Sequence, residues 1–213
     1  MSDLLSKWHG RISYEQGLVL QESIVLRKIE GELTDHLILL EHEPVYTMGR
    51  NKDESSLLIE NCLPYPVHRT NRGGQATYHG PGQLVGYPIL DLTQYGRDLH
   101  QYLRFLEDVI IDVLGHYKVR GLRREGLTGV WVEDRKIASI GVGVRKWISM
   151  HGFALNIGRD LPGFSSIIPC GIAGVTMTSL SLEAGQNFST EETAAITGEI
   201  FLTRLKSLPS GKF

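Results

Sequence analysis

The sequence is poor in cysteine: Cys62 and Cys170 are the only two in 213 residues. That excludes a disulfide framework, and neither cysteine has the nearby Cys/His spacing that would hold zinc. Reduced thiols are the simplest reading. An excess of charge of one sign is also missing. The 22 Lys and Arg against 24 Asp and Glu leave a formal net charge of −2, so no global field draws in nucleic acid or an anionic membrane. Nor is there a long hydrophobic run, since no apolar stretch approaches the roughly 20 residues of a membrane span. Residues 1–10 show neither a signal-peptide hydrophobic region nor an Arg/Ser-rich transit pattern. The expected compartment is the cytosol. The fixed Gly-Lys-Ser/Thr ending of a phosphate-binding loop, the dinucleotide glycine fingerprint and a Gly-x-Ser-x-Gly elbow are all absent.

What is present is an ordinary globular composition, 41% hydrophobic and 22% charged. Without an internal repeat, a low-complexity tract or a break in composition, residues 1–213 read as a single domain. Ser13 with Gln16 forms a capping box, which predicts a helix over 14–30 ending at Gly31. The continuous apolar run 37–40 suits a buried strand. Residues 51–66, with two prolines and Cys62, read as a polar loop. Leu99, Leu103, Leu106, Ile110 and Val113 recur at helical spacing behind a possible Asp98 cap. Stretches 128–132 and 136–144 flank the charged Glu133-Asp134-Arg135 and predict a β-hairpin. Another strand follows over 148–157, and Ser189 with Glu192 caps a last helix running towards Leu205. The mixture is α+β.

The densest candidate for chemistry is the run from Arg72 to Gln83, with four glycines and Pro81 in twelve positions. Glycine permits positive φ and close backbone approach, so the run reads either as a loop or bulged strand lining a pocket or as a tight hairpin. Arg72, Tyr78 and His79 favour the pocket. The second candidate is Pro169-Cys170-Gly171. A lone cysteine can be a small buried hydrophobe. Set in a turn, however, Cys170 can be an exposed nucleophile, with the Gly171 amide aimed at a developing oxyanion. A cysteine nucleophile needs a base or a cation, and Lys136, His79 and His151 are all open for that role. Lys136 begins the apolar stretch Ile137-Ala138, where a desolvated lysine would exchange protons near neutrality; the other reading is a solvated hairpin lysine.

The run Arg72 to Gln83, the strands Gly129-Val130-Trp131 and Lys136-Ile137-Ala138-Ser139-Ile140-Gly141, the stretch His151-Gly152-Phe153-Ala154-Leu155-Asn156, and Pro169-Cys170-Gly171-Ile172 together resemble the octanoyltransferases of lipoate biosynthesis. Four separated blocks in the family's order span most of the chain. The resemblance implies a fold like the catalytic domain of biotin and lipoate protein ligases, with mixed sheets flanked by helices. It implies transfer of an octanoyl or lipoyl group from acyl carrier protein to a specific lysine of lipoyl domains, including those of 2-oxoacid dehydrogenase complexes and the glycine cleavage H protein. No cofactor, metal, nucleic acid or membrane is implied. In that scheme Cys170 carries the acyl thioester and Lys136 tunes or deprotonates it. Arg72, Gly73, Gly74, Gln75, Ala76, Thr77, Tyr78 and His79, with Ser139, Ile140, Gly141, Gly152, Phe153 and Ala154, line the acyl site. Basic clusters at Arg120, Arg123, Arg124, Arg145 and Lys146 offer local docking points for acidic carrier proteins. Two rival readings are a ligase of the same fold that consumes ATP and magnesium, and a binding module without chemistry.

Overall fold

A computed structural model describes residues 3–51, 63–208 and 212–213; most of the loop expected over 51–66, including Cys62, lies outside the described residues. The Ser13 capping box forms as expected: the Ser13 side chain accepts from the Gln16 N–H, and the Gln16 side chain returns to the Ser13 N–H. It starts helix α1 (Tyr14–Ile29), which follows strand β1 (Leu4–Ile12). The run 37–40 lies within β2 (Asp35–His42), a strand buried along its whole length. Leu37 and Leu39 face one core cluster and Ile38 and Leu40 another, so both faces of the strand are covered. That is why it reads as a continuous apolar run rather than an alternating one.

The main sheet runs in the order β1, β2, β6 (Gln83–Ile89), β10 (Ile148–Asn156), β9 (Arg135–Arg145), β8 (Leu127–Val132), β7 (Leu122–Arg124), with the short β11 (Thr176–Met177) alongside β9. Among the described strands, the β1–β2 and β9–β11 pairs are parallel and the remaining neighbours in this sheet antiparallel. A second sheet joins β4 (Val67–Arg69), β3 (Val45–Met48) and β5 (Ala76–His79). Helices α2 (Leu99–His116) and α4 (Thr190–Lys206) pack against each other and share one core cluster with the sheet, while α1 covers the other side. The short α3 (Leu180–Glu183) precedes α4. Asp98 and Ser189 cap α2 and α4 as the sequence predicts. The buried face of α2 is turned from the expected one, because Tyr102 and Phe105 enter the core while Leu99 stays 36% exposed. Aromatic contacts to Phe201 and Phe213 draw those two larger rings inward.

The hairpin of β8 and β9 carries the irregularity that matters for the site. Trp131 pairs with Lys136, but Val130 pairs with Ala138, so β9 spends an extra residue there. Such a bulge interrupts the alternation of side chains. Lys136 and Ser139, three apart and expected on opposite faces, consequently both border one cavity. Among the described residues no helix is long and apolar enough to cross a membrane.

Candidate active site

That cavity, of about 190 Å³, lies where β5, β6, β9 and β10 converge under the Pro169–Gly171 turn. It collects Cys170, Lys136, Arg72, Gly73, Gly74, Thr77, His79, Ser139, Ile140, Gly141, Gly152, Phe153 and Ala154 from the sequence-predicted set. Gln75, Ala76 and Tyr78 are not on its wall. Strand alternation sends Thr77 and His79 inward, whereas Tyr78 packs among Tyr46, Tyr65 and Phe164 on the far side. Ala76 is fully buried. Gln75 instead sits against the α-carbon of Gly171, where a Cβ would fall 1.7 Å from its Oε1. Sequence reasoning missed Tyr14, Thr47, Val85, Tyr87, Gly126, Leu127 and Thr128. Of these, only Val85 and Tyr87, two apart on a strand, carry a periodic signal.

Cys170 adopts φ 56°, ψ 20°, a left-handed conformation that an L side chain rarely takes, and is followed by Gly171 at φ 67°. The turn leaves the thiol half-buried, with Sγ 3.6 Å from Ser139 Oγ. The expected oxyanion donor fails: the Gly171 N–H donates to the Ile168 carbonyl at 3.0 Å. Lys136 is not the solvated hairpin lysine its sequence position allowed, being 1% exposed. Its Nζ donates to the Thr128 carbonyl at 3.3 Å and lies 4.9 Å from the Trp131 ring centroid. No carboxylate pairs with it among the described residues. Gly129 makes its channel: a Cβ there would lie 2.6 Å from the Ala138 carbonyl oxygen and 3.0 Å from Lys136 Cε.

The histidines belong to a buried network whose proton directions follow from its amides. The Gln83 Nε2 group donates to Asn156 Oδ1 and the Tyr78 carbonyl, so Gln83 Oε1 must accept from His79 Nδ1, at 2.7 Å. Thr47 Oγ1 accepts from Arg72, so its own proton points to His79 Nε2. Both nitrogens of His79 are therefore spoken for. Burial, aided by the charges of His42, Arg72 and His151, pushes its pKa down to about 3. His151 stands at φ 57° in β10, its N–H held by Gln21 Oε1 and its Nε2 by Asn71 Oδ1. Burial, then the nearby Arg72 and Arg50, lowers it to about 4. His42 donates from Nδ1 to the Ile12 carbonyl and accepts from Tyr87 OH at Nε2; burial brings it to about 4. Arg72 is the guanidinium of the wall. It is 8% exposed and spends its donors on the Thr47, Gly73 and Gln75 carbonyls and on Thr47 Oγ1. Burial depresses its pKa, and the field of Cys170 opposes that.

Three buried neutral imidazoles have a consequence for stability. An unfolded chain takes up a proton at each histidine near pH 6.5, whereas the native His42, His79 and His151 resist until about 4, 3 and 4. Their contribution is thus complete above about pH 6.5 and is lost as pH falls towards 4, at up to about 1.4 kcal/mol per pH unit for each. Urea unfolding at pH 7, 6 and 5 should show this slope, and His79→Gln should remove roughly a third of it. An unchanged slope in that variant would show that the native His79 takes up its proton as readily as the unfolded chain does.

Among the basic residues, Arg123 is held by its neighbours on α2. It donates to Glu107, Asp108 and the Arg104 carbonyl. Among the described residues no group of three or more His, Cys, Asp or Glu is placed to hold a metal ion.

Residues 13–201 match the family of the lipoyl protein ligase A/B catalytic domain. An octanoyltransferase of Geotalea uraniireducens is 47% identical over 192 residues, 90% of this chain and 88% of that protein. One of Geobacter sulfurreducens is 50% identical over 190 residues, covering 89% and 80%, and one of Gloeobacter violaceus is 56% identical over 164 residues, covering 76% and 73%. Solved structures share the fold at much lower identity. A bi-partite lipoate protein ligase from Thermoplasma acidophilum superposes with a TM-score of 0.71 at 15% identity, over 96% of this chain and 84% of that one. The biotin protein ligase of Aquifex aeolicus, in complex with biotin and ATP, gives 0.57 at 13% identity, over 97% and 71%. With the family model spanning most of the chain and the relatives near half identical over most of their length, the chain belongs to the octanoyltransferases of the lipoyl protein ligase A/B catalytic domain family.

Proposed function

We propose that this chain moves an octanoyl (or lipoyl) group from acyl carrier protein to a specific lysine of lipoyl domains, through a thioester on Cys170 and with Lys136 as the proton carrier. The observation that carries the reading is one cavity holding a half-buried thiol on a left-handed turn and a buried lysine without a carboxylate partner among the described residues. The apolar wall of Val85, Leu127, Ile140, Phe153, Ala154 and Ile172 suits an alkyl chain. In the first half-reaction Lys136 takes the Cys170 proton, and the thiolate attacks the donor thioester. The bond to the carrier sulfur breaks, and that sulfur leaves with the proton from Lys136. In the second, the neutral amine of the acceptor lysine attacks the acyl-cysteine and loses a proton to Lys136. The carbon–sulfur bond to Cys170 breaks, and the proton returns to the thiol. One thioester is exchanged for another and then for an amide, so no nucleotide has to supply energy. Acceptors would be the lipoyl domains of 2-oxoacid dehydrogenase complexes and the glycine cleavage H protein, and the site of action the cytosol.

The rival within the fold is a ligase that activates a free acid with ATP. Dialysed protein given octanoyl carrier protein and a lipoyl domain should transfer at full rate without ATP or magnesium. A strict requirement for nucleotide would overturn the thioester scheme in favour of the ligase.

A further inference from the structure

Glu107 on α2 has no solvent exposure, although a carboxylate is among the groups least willing to leave water. Its Oε2 receives Arg104 Nη1 at 2.7 Å and Arg123 Nε at 2.9 Å, from two arginines that are themselves half-exposed. Its Oε1 accepts the backbone N–H of Gly129 at 3.0 Å. Gly129 has no partner in either ladder of β8 among the described residues, and its φ of +133° is open to glycine alone. The other end of that same peptide unit is the Thr128 carbonyl, which receives Lys136 Nζ at 3.3 Å. A trans peptide is planar, with its C=O and N–H pointing in opposite directions. Glu107 and Lys136 therefore grip the two ends of one amide.

We infer that Glu107 is a positioning residue for Lys136, acting through the Thr128–Gly129 peptide, which it holds in orientation and polarises. A carboxylate on the N–H draws electron density towards the carbonyl and strengthens its bond to the lysine, as neighbouring hydrogen bonds reinforce one another in a buried setting. It also fixes where Nζ stands, since Lys136 Cε passes within 3.0 Å of the missing Gly129 Cβ. A carboxylate placed for stability alone would be matched or bettered by an apolar side chain of similar volume. A carboxylate bonded to a peptide that no described strand pairs, behind the lysine of the cavity, has a reason to be there.

The inference rests on the proton-carrying reading of Lys136, and the test separates the two. Cys170 alkylation by iodoacetamide is followed across a pH series, with kcat and KM for octanoyl carrier protein, in Glu107→Leu, Glu107→Gln, Lys136→Met and the double variants. Glu107→Leu should lower kcat about a hundredfold with KM little changed, the scale of misplacing a catalytic group by about 1 Å. Glu107→Gln keeps an oxygen for the Gly129 N–H but loses the charge, so its loss should be smaller, about tenfold. Both should displace the alkylation profile in the Lys136 background and leave it unmoved once Lys136 is methionine, the mark of two residues acting as one unit. If Glu107→Leu does not fold, Glu107→Gln carries the same comparison. A wild-type profile in Glu107→Gln, or an equal displacement with and without Lys136, overturns the inference. A Lys136→Met enzyme that transfers and alkylates as wild type would instead sink the proton-carrying role itself.

Discussion

Cys170→Ala should abolish octanoyl transfer while leaving the fold intact, with a loss of about ten thousandfold or more, the scale seen when a covalent nucleophile is removed. Intact protein incubated with octanoyl carrier protein should gain one octanoyl mass that maps to Cys170, and the alanine variant should gain none. The side chain is half-buried, with Sγ 3.6 Å from Ser139 Oγ, so the truncation opens no large core cavity. Loss of activity would then be chemical rather than structural, and an unchanged melting temperature would verify that. Cys62→Ala should keep most of the activity. Transfer persisting in Cys170→Ala, or the added mass mapping to Cys62, would move the nucleophile elsewhere.

Lys136→Arg is expected to lose transfer to the acceptor lysine by a factor of about a hundred or more, the usual range for removing a general base. Arginine keeps the positive charge but stays protonated at any working pH, so it can support a thiolate without being able to accept a proton. The longer, planar head also has to enter a channel bounded by the Gly129 α-carbon and the Trp131 ring. A parallel Lys136→Met variant separates that steric effect, because methionine fits the same space without charge. If Lys136 acts only as a cation, arginine should outperform methionine clearly; if it acts as a base, both should be crippled alike. His79→Gln and His151→Gln test the alternatives. The His79 nitrogens are committed to Gln83 and Thr47, and burial holds the ring neutral far below working pH. Those two variants should weaken substrate handling while preserving the pH dependence of Cys170 alkylation. Near wild-type transfer by Lys136→Arg together with a displaced alkylation curve in His79→Gln would hand the base role to His79.

The double commitment of His79 illustrates what a sequence withholds. From spacing alone His79, His151 and Lys136 were equal candidates, because strand and loop separation does not determine which side chains meet. The amide directions of Gln83 and Asn156 commit His79 Nδ1 to Gln83, and those partners stand 4 and 73 residues from His79 and Gln83 respectively. The same applies to Arg123, exposed and basic in the sequence but bonded to two carboxylates on α2. Tyr78 and Ala76 were assigned to the acyl site with their neighbours, since a motif names a stretch and only the pleat of β5 divides it between two faces.

The sequence by itself determined the element boundaries that depend on local chemistry. The Ser13 capping box, the Asp98 and Ser189 caps and the hairpin turn at Glu133 each follow from contacts within a few residues, which the chain spells out in order. Its four separated blocks also declared the family. Only the tertiary structure decided that Lys136 is buried rather than solvated, that a bulge in β9 brings it to the cavity of Ser139 and Cys170, and that Glu107 stands behind it across a single peptide. Burial, bulge register and the pairing of a helix carboxylate with a strand amide arise from elements brought together in space, and no local propensity encodes them.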